Sequence, residues 1–259
     1  MKAVLEVCVD TVDSAFEAQR AGADRLVLCS GLVLGGTTPN INFYYEVRNH
    51  LDLPISVLVK PHFGDHCCSP AEFEMMKDDI ALFRDAGADA VQTGILTPDG
   101  ALDVLRMDEL IVLAQEMKMV LGRAFDECRE PEEAFQRAKM MCFGGLVTSG
   151  QCRRSYDGRS LIARLLLNAD GMEIAVAGEM EPYEFAAFRR VTAASVYQGN
   201  WLKKADSPMQ YRKKRRLLEP ADGQNYTVWQ TDTQKIAAMR AAMDGEEFMV
   251  WVVFSCPSR

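Results

Sequence analysis

The 259-residue chain is 48% hydrophobic and 25% charged, carries a formal net charge of −8, and contains eight cysteines. This composition is ordinary for a globular protein, and the acidic balance argues against a general binder of nucleic acid or of anionic membranes. Neither a leader-like segment nor an apolar run long enough to span a bilayer is present, so we expect a cytoplasmic protein with reduced thiols.

The first thirty residues have the pattern of one βαβ unit. Two short apolar runs, residues 5–10 and 25–30, flank an amphipathic segment with helical spacing. Because side chains two apart share one face of a strand, Glu6 and Cys8 lie together, and Cys29 takes the corresponding face of the second strand. Both cysteines fall near the carboxyl ends of their strands, where parallel α/β proteins build sites. The pattern therefore predicts that two thiols meet there.

The alternation of helix and strand continues to about residue 200. The tetrapeptide Ala-Gly-Ala-Asp occurs at 21–24 and again at 86–89, each time between a predicted helix and a strand. Further strands are predicted near residues 55–59, 90–93, 119–121, 146–148, 172–176 and 194–197. Further helices are predicted at about 41–49, 70–84, 103–116, from 131 onwards, 155–168 and 180–190.

Eight strands alternating with helices predict an α/β fold with a single (β/α)8 barrel over residues 1–200. Residues 201–259 are predicted to form an irregular C-terminal extension that packs on the barrel and is not a separate domain. One helix is expected in it, from about residue 231 to 243.

Seven motifs in this chain resemble the CutC family of copper homeostasis proteins, and they follow the family's order. They are Glu6-Val7-Cys8-Val9-Asp10, Ala21-Gly22-Ala23-Asp24-Arg25, Leu28-Cys29-Ser30, Gly35-Gly36-Thr37-Thr38-Pro39, Gly87-Ala88-Asp89-Ala90-Val91, Arg123-Ala124-Phe125-Asp126 and Thr148-Ser149-Gly150. The resemblance implies a TIM-type barrel, a cytoplasmic homo-oligomer (a dimer or tetramer), and a copper ion as partner. It also implies a Cu(I) site at Cys8 and Cys29, and soft thiolates do select Cu(I). Two inert, packed cysteines are the alternative.

The chain departs from the family pattern at several predicted strand ends. Val27 stands where the family usually has an acidic residue, and His62 stands where it has an arginine. Gly122 and Tyr197 stand at positions where a histidine is usual, and Glu179 stands where a glycine is usual. These changes put a surviving general acid–base site in doubt.

Four polar residues at strand ends make a barrel enzyme the alternative function. Glu6 or Asp126 can act as a general base, while Lys60 or Arg123 can hold a small anionic metabolite or stabilise developing negative charge. A charge-balanced structural network inside the barrel is the competing interpretation of the same residues.

Three other segments have an unusual composition. The loop after the third predicted strand carries four side chains of types that bind Cu(I) or Zn²⁺, although adjacent cysteines converge poorly on one metal. A basic run at 211–216 is predicted to be a solvated charged segment. The apolar segment 248–254 is predicted to be buried against the barrel or a second subunit, or else to favour aggregation. The four side chains of the loop are His62, His66, Cys67 and Cys68.

Overall fold

Eight parallel strands close into a barrel in sequence order, as predicted. The computed structural model describes residues 2–212 and 226–245. The strands are β1 (Val4–Val9), β2 (Arg25–Leu28), β3 (Ile55–Leu58), β4 (Ala90–Thr93), β5 (Lys118–Leu121), β6 (Gly145–Thr148), β7 (Glu173–Val176) and β8 (Val196–Gly199). The helices of the barrel are α1 (Val12–Arg20), α2 (Ile41–Arg48), α3 (Pro70–Asp85), α4 (Val104–Ala114), α5 (Ala124–Glu127), α6 (Pro131–Met140), α7 (Arg159–Leu167) and α8 (Phe185–Thr192).

Strand parity divides the apolar residues into two layers. Leu5, Val7 and Val9 of β1 belong to the large cluster between the strands and the surrounding helices. Small and β-branched side chains such as Val120 and Val147 form a second cluster inside the barrel. This division follows from the two-residue period of a strand, which sends alternate side chains to opposite faces.

The repeated Ala-Gly-Ala-Asp tetrapeptide has the same structural role at both places. Asp24 accepts a hydrogen bond of 2.8 Å from the backbone N–H of Leu5, the second residue of β1. Asp89 accepts one of the same length from the backbone N–H of Ile55, the first residue of β3. Each aspartate thus satisfies a donor at the start of the preceding strand, which explains why the motif recurs before β2 and β4.

The C-terminal extension is more regular than the sequence indicated. Strand β9 (Leu202–Asp206) pairs antiparallel with β10 (Thr227–Thr231), and helix α9 (Thr233–Asp244) follows. Both strands are mostly exposed or half-buried, so they lack the apolar alternation that makes a strand recognisable.

Helix α9 is anchored to the start of the barrel through Arg240. Its guanidinium lies 2.7 Å from the Asp24 carboxylate and donates to the Ala3 carbonyl oxygen at 3.2 Å. A Cβ at Gly22, which has a φ of +100°, would lie 2.9 Å from Cγ of Arg240. The glycine of the first tetrapeptide therefore makes room for this arginine.

Within residues 2–212 and 226–245, no helix is long and apolar enough to cross a membrane. The apolar segment 248–254 and residues 213–216 of the basic run lie outside the described residues.

Candidate functional site: the cavity at the carboxyl end of the barrel

A cavity of about 1050 Å³ opens at the carboxyl ends of the strands. Five of the six residues singled out as catalytic or metal-binding candidates line it, whereas Glu6 does not. The five are Cys8, Cys29, Lys60, Arg123 and Asp126.

Cys8 lies in β1, and Cys29 directly follows the neighbouring strand β2, so both belong to the cavity wall. Cys8 pairs in register with Val27, and the backbone N–H of Cys29 donates to the Val9 carbonyl at 3.0 Å. Burial raises the pKa of the Cys8 thiol, and the nearby Cys29 thiol raises it further. Burial also raises the pKa of Cys29, with a smaller contribution from Asp10. Both side chains are therefore neutral thiols near pH 7.

The donor set suits a soft ion of low coordination number. Among the residues that the structure describes, no group of three or more histidine, cysteine, aspartate or glutamate side chains is arranged to hold a metal ion. Two thiols without a third ligand fit Cu(I), which accepts two soft ligands, and do not fit the four-coordinate environment of structural zinc.

The loop after β3 does not bring its histidines and cysteines to one point. The two ring nitrogens of His62 face the carbonyl oxygens of Phe63 at 2.9 Å and Cys67 at 3.1 Å, and these contacts raise its pKa. The thiol of Cys68 contacts Met76 Sδ at 3.5 Å. Of the loop's histidines and cysteines, His66 alone reaches the cavity.

His66 is held in its neutral form. Burial and the adjacent Lys60 ammonium lower its pKa to about 4. Its Nδ1 atom is buried and has no hydrogen-bond partner within residues 2–212 and 226–245. Lys60 donates to the Gly64 carbonyl at 2.9 Å, and burial lowers its pKa against the opposing effect of the Glu127 and Asp65 carboxylates.

Asp126 is the centre of a hydrogen-bond network that holds the loop after β6. Its carboxylate accepts from the Thr148 hydroxyl at 2.6 Å, from the backbone and hydroxyl of Ser149 at 3.0 to 3.1 Å, and from the Gln151 backbone at 3.0 Å. It also pairs with the Arg123 guanidinium. The aspartate side chain is 7% exposed and that of Arg123 is 46% exposed. This geometry favours the structural interpretation for Asp126, with Arg123 as the group that meets a ligand.

Glu6 lies inside the barrel, beneath a pair of glutamines. Its carboxylate accepts from the Gln198 amide at 2.8 Å and from the Gln92 amide at 3.4 Å, and the two amides bond each other at 3.0 Å. Burial raises the pKa of Glu6. Gln92 and Gln198 line the cavity and separate Glu6 from it. Sequence reasoning missed both, although a glutamine in an inward position of an apolar strand is the signal that could have found them.

The altered family positions fall in two groups. Val27, Gly122 and Glu179 line the cavity, whereas His62 and Tyr197 do not. The ring of Tyr197 packs on Phe185 with a centroid distance of 4.8 Å, outside the barrel wall. The next residue of β8, Gln198, faces the cavity instead, because adjacent strand residues point to opposite faces.

Two tryptophans of the extension also line the cavity, Trp201 and Trp229. The sequence offered no signal for them, since the segment that carries them, residues 201–259, was predicted to be irregular.

Comparisons with known proteins identify the family. The sequence profile of the CutC family matches residues 3–198. A CutC family protein of Chromobacterium violaceum is 31% identical over 245 residues, which cover 94% of this chain and 99% of its own. A mouse protein named copper homeostasis protein cutC homolog is 31% identical over 240 residues, covering 92% of this chain and 88% of its own.

A solved structure from Streptococcus agalactiae that carries the CutC name superposes with a TM-score of 0.72. The match covers 76% of this chain and 98% of that one at 22% sequence identity, so it bears on the fold alone.

Proposed function

Because the chain belongs to the CutC family, we propose that it takes part in copper homeostasis by binding Cu(I) through Cys8 and Cys29. The copper ion is the cargo of this site, and the proposed compartment is the cytoplasm. The homo-oligomer implied by the resemblance stays a prediction.

One observation carries this proposal: the thiols of Cys8 and Cys29 line the same cavity, and they are close enough that Cys29 raises the pKa of Cys8. Cu(I) replaces the proton of each thiol, and the resulting thiolates are the ligands it prefers.

The test is an anaerobic Cu(I) titration against a competing chelator. We expect Cys8→Ser and Cys29→Ser each to remove one tight equivalent of Cu(I). Cys142→Ser is the matched control, because Cys142 is exposed and does not line the cavity. Unchanged stoichiometry in both cavity variants would contradict the proposal.

The cavity volume supports a second candidate, an enzyme acting on a small anionic metabolite. About 1050 Å³ is far more space than one metal ion needs and lies within the range of small-molecule sites. Lys60 and the half-exposed Arg123 offer two cations to a phosphate or carboxylate. Backbone carbonyl and side-chain contacts hold both cations in place, so they are preorganised for an anion.

This second candidate predicts thermal stabilisation by a pool of anionic metabolites, which Arg123→Ala abolishes. Arg129→Ala is the control, because that exposed arginine pairs with Asp99 at 3.3 Å and does not line the cavity. Equal shifts in both variants, or no shift with any anionic pool, would count against an anion site at Arg123.

A further inference from the structure

The indole of Trp201 lies directly over the end of β8. A Cβ at Gly199 would lie 2.7 to 2.9 Å from three atoms of its six-membered ring. Such separations are too short for two carbons, so only glycine at position 199 lets the ring take this place. The side chain is half-buried and lines the cavity.

Trp229 of β10 is the second tryptophan that lines the cavity. It pairs in register with Lys204 of β9, whose ammonium lies 5.1 Å from the ring centroid. The two indoles, both within the described part of the chain, do not form a ring pair with each other. Both indoles line the cavity, where a ligand can contact them.

Cationic groups reach the cavity from other parts of the barrel. Lys60 follows β3 and Arg123 follows β5, and each of these strands lies three positions from β8 around the barrel. A ligand that contacts both regions must carry a flat apolar part and a negatively charged part. Indole faces bind planar unsaturated rings by stacking, whereas a saturated chain gains less from them.

We propose that the cavity binds a planar anion, an aromatic or heteroaromatic ring carrying a phosphate or carboxylate. The ring stacks on the indole of Trp201, with Trp229 lining the same cavity, and the charged group pairs with Lys60 and Arg123. The amides of Gln92 and Gln198 meet the polar edge of the ligand from the floor of the cavity. This inference rests on the second candidate function and names its ligand class.

The experiment uses three probes that divide the ligand into its parts. Adenosine 5′-monophosphate has a ring and a phosphate, ribose 5-phosphate lacks the ring, and adenosine lacks the phosphate. Binding to the full chain is followed by indole fluorescence and by thermal shift. We expect the nucleotide to bind at least about tenfold more tightly than ribose 5-phosphate, which has no ring to stack. We expect a similar margin over adenosine, which has no phosphate to pair with the cations.

Variants separate the two contacts. Trp201→Ala should weaken nucleotide binding about tenfold and leave ribose 5-phosphate binding unchanged, which also shows that the variant is folded. Trp201→Phe should retain most of the affinity. Arg123→Ala should weaken the binding of adenosine 5′-monophosphate and of ribose 5-phosphate, and leave the binding of adenosine unchanged.

Other results would overturn one contact or the whole proposal. Equal affinity for nucleotide and ribose 5-phosphate, with Trp201→Ala silent, overturns the aromatic contact while the anion site stands. Equal affinity for nucleotide and adenosine overturns the anionic part. No saturable binding of any probe at millimolar concentration overturns the planar-anion proposal, while a shift with ring-free anionic metabolites would still support the anion site.

Discussion

Cu(I) binding at Cys8 and Cys29 should strengthen steeply with pH, and over an unusually wide range. Both thiols carry raised pKa values because they are buried, against an ordinary value of 9.0. Each must lose its proton when the ion binds, so the apparent affinity depends on proton concentration. Burial keeps both thiols protonated, so Cu(I) affinity should be lowest at low pH.

The magnitude follows from the two displaced protons. Below both pKa values, the association constant should rise about 100-fold per pH unit, which is about 2.7 kcal/mol. Thiols with ordinary pKa values would show the same slope near neutrality, and the slope would flatten from about pH 9. Because burial raises the pKa of both thiols, we expect the slope to persist to about pH 10. Cys8→Ser loses the tight site, and the weaker binding by its one remaining cavity thiol should show about half this slope, because only one proton is displaced.

The assay is the anaerobic chelator competition repeated from about pH 7 to about pH 10, with the chelator's own protonation corrected for. Circular dichroism at each pH confirms that the barrel is intact, and Cys142→Ser serves as the control. A slope that flattens near pH 9, or that Cys8→Ser leaves unchanged, would refute the reasoning from burial.

Three further predictions concern other groups of the barrel. Asp126→Asn should lower the free energy of unfolding by about 3 kcal/mol in chemical denaturation, because several donors lose a buried charged acceptor. Arg123→Ala should lower it by about 1 kcal/mol or less, because the arginine is half-exposed, and equal losses in the two variants would contradict the network. Glu6→Gln should raise the melting temperature at neutral pH, because the raised pKa of Glu6 makes its charged form destabilising above its ordinary value of 4.5. That gain should vanish below pH 4.5, where the carboxyl is protonated in both states, and a gain independent of pH would point to packing instead. Ring NMR should find His66 neutral down to about pH 4 and His62 protonated to above pH 6.5, with single substitutions identifying the signals; similar titrations for both would contradict the different environments of the two rings.

The local pattern of the sequence was sufficient for the fold. Apolar runs of period two, helices with apolar stripes and the repeated tetrapeptide predicted all eight strands of the barrel. Asp24 and Asp89 illustrate why: each bonds a strand start within the neighbouring βα unit, so its role follows from the order of elements. Parity likewise placed Cys8 and Cys29 on the cavity wall.

The composition of the site depended on contacts between residues distant in the chain. Tyr197 packs on Phe185 outside the barrel wall. His66 lines the cavity, whereas the ring nitrogens of His62 contact the carbonyl oxygens of Phe63 and Cys67.

Trp201 and Trp229 line the cavity from the extension, whose helix α9 is bound through Arg240 to Asp24, more than two hundred residues earlier in the chain. A strand's period determines which face a side chain takes, because it is a property of the local backbone. Which groups share a cavity is determined by how the strands, loops and extension pack together, and that information is spread over the whole chain.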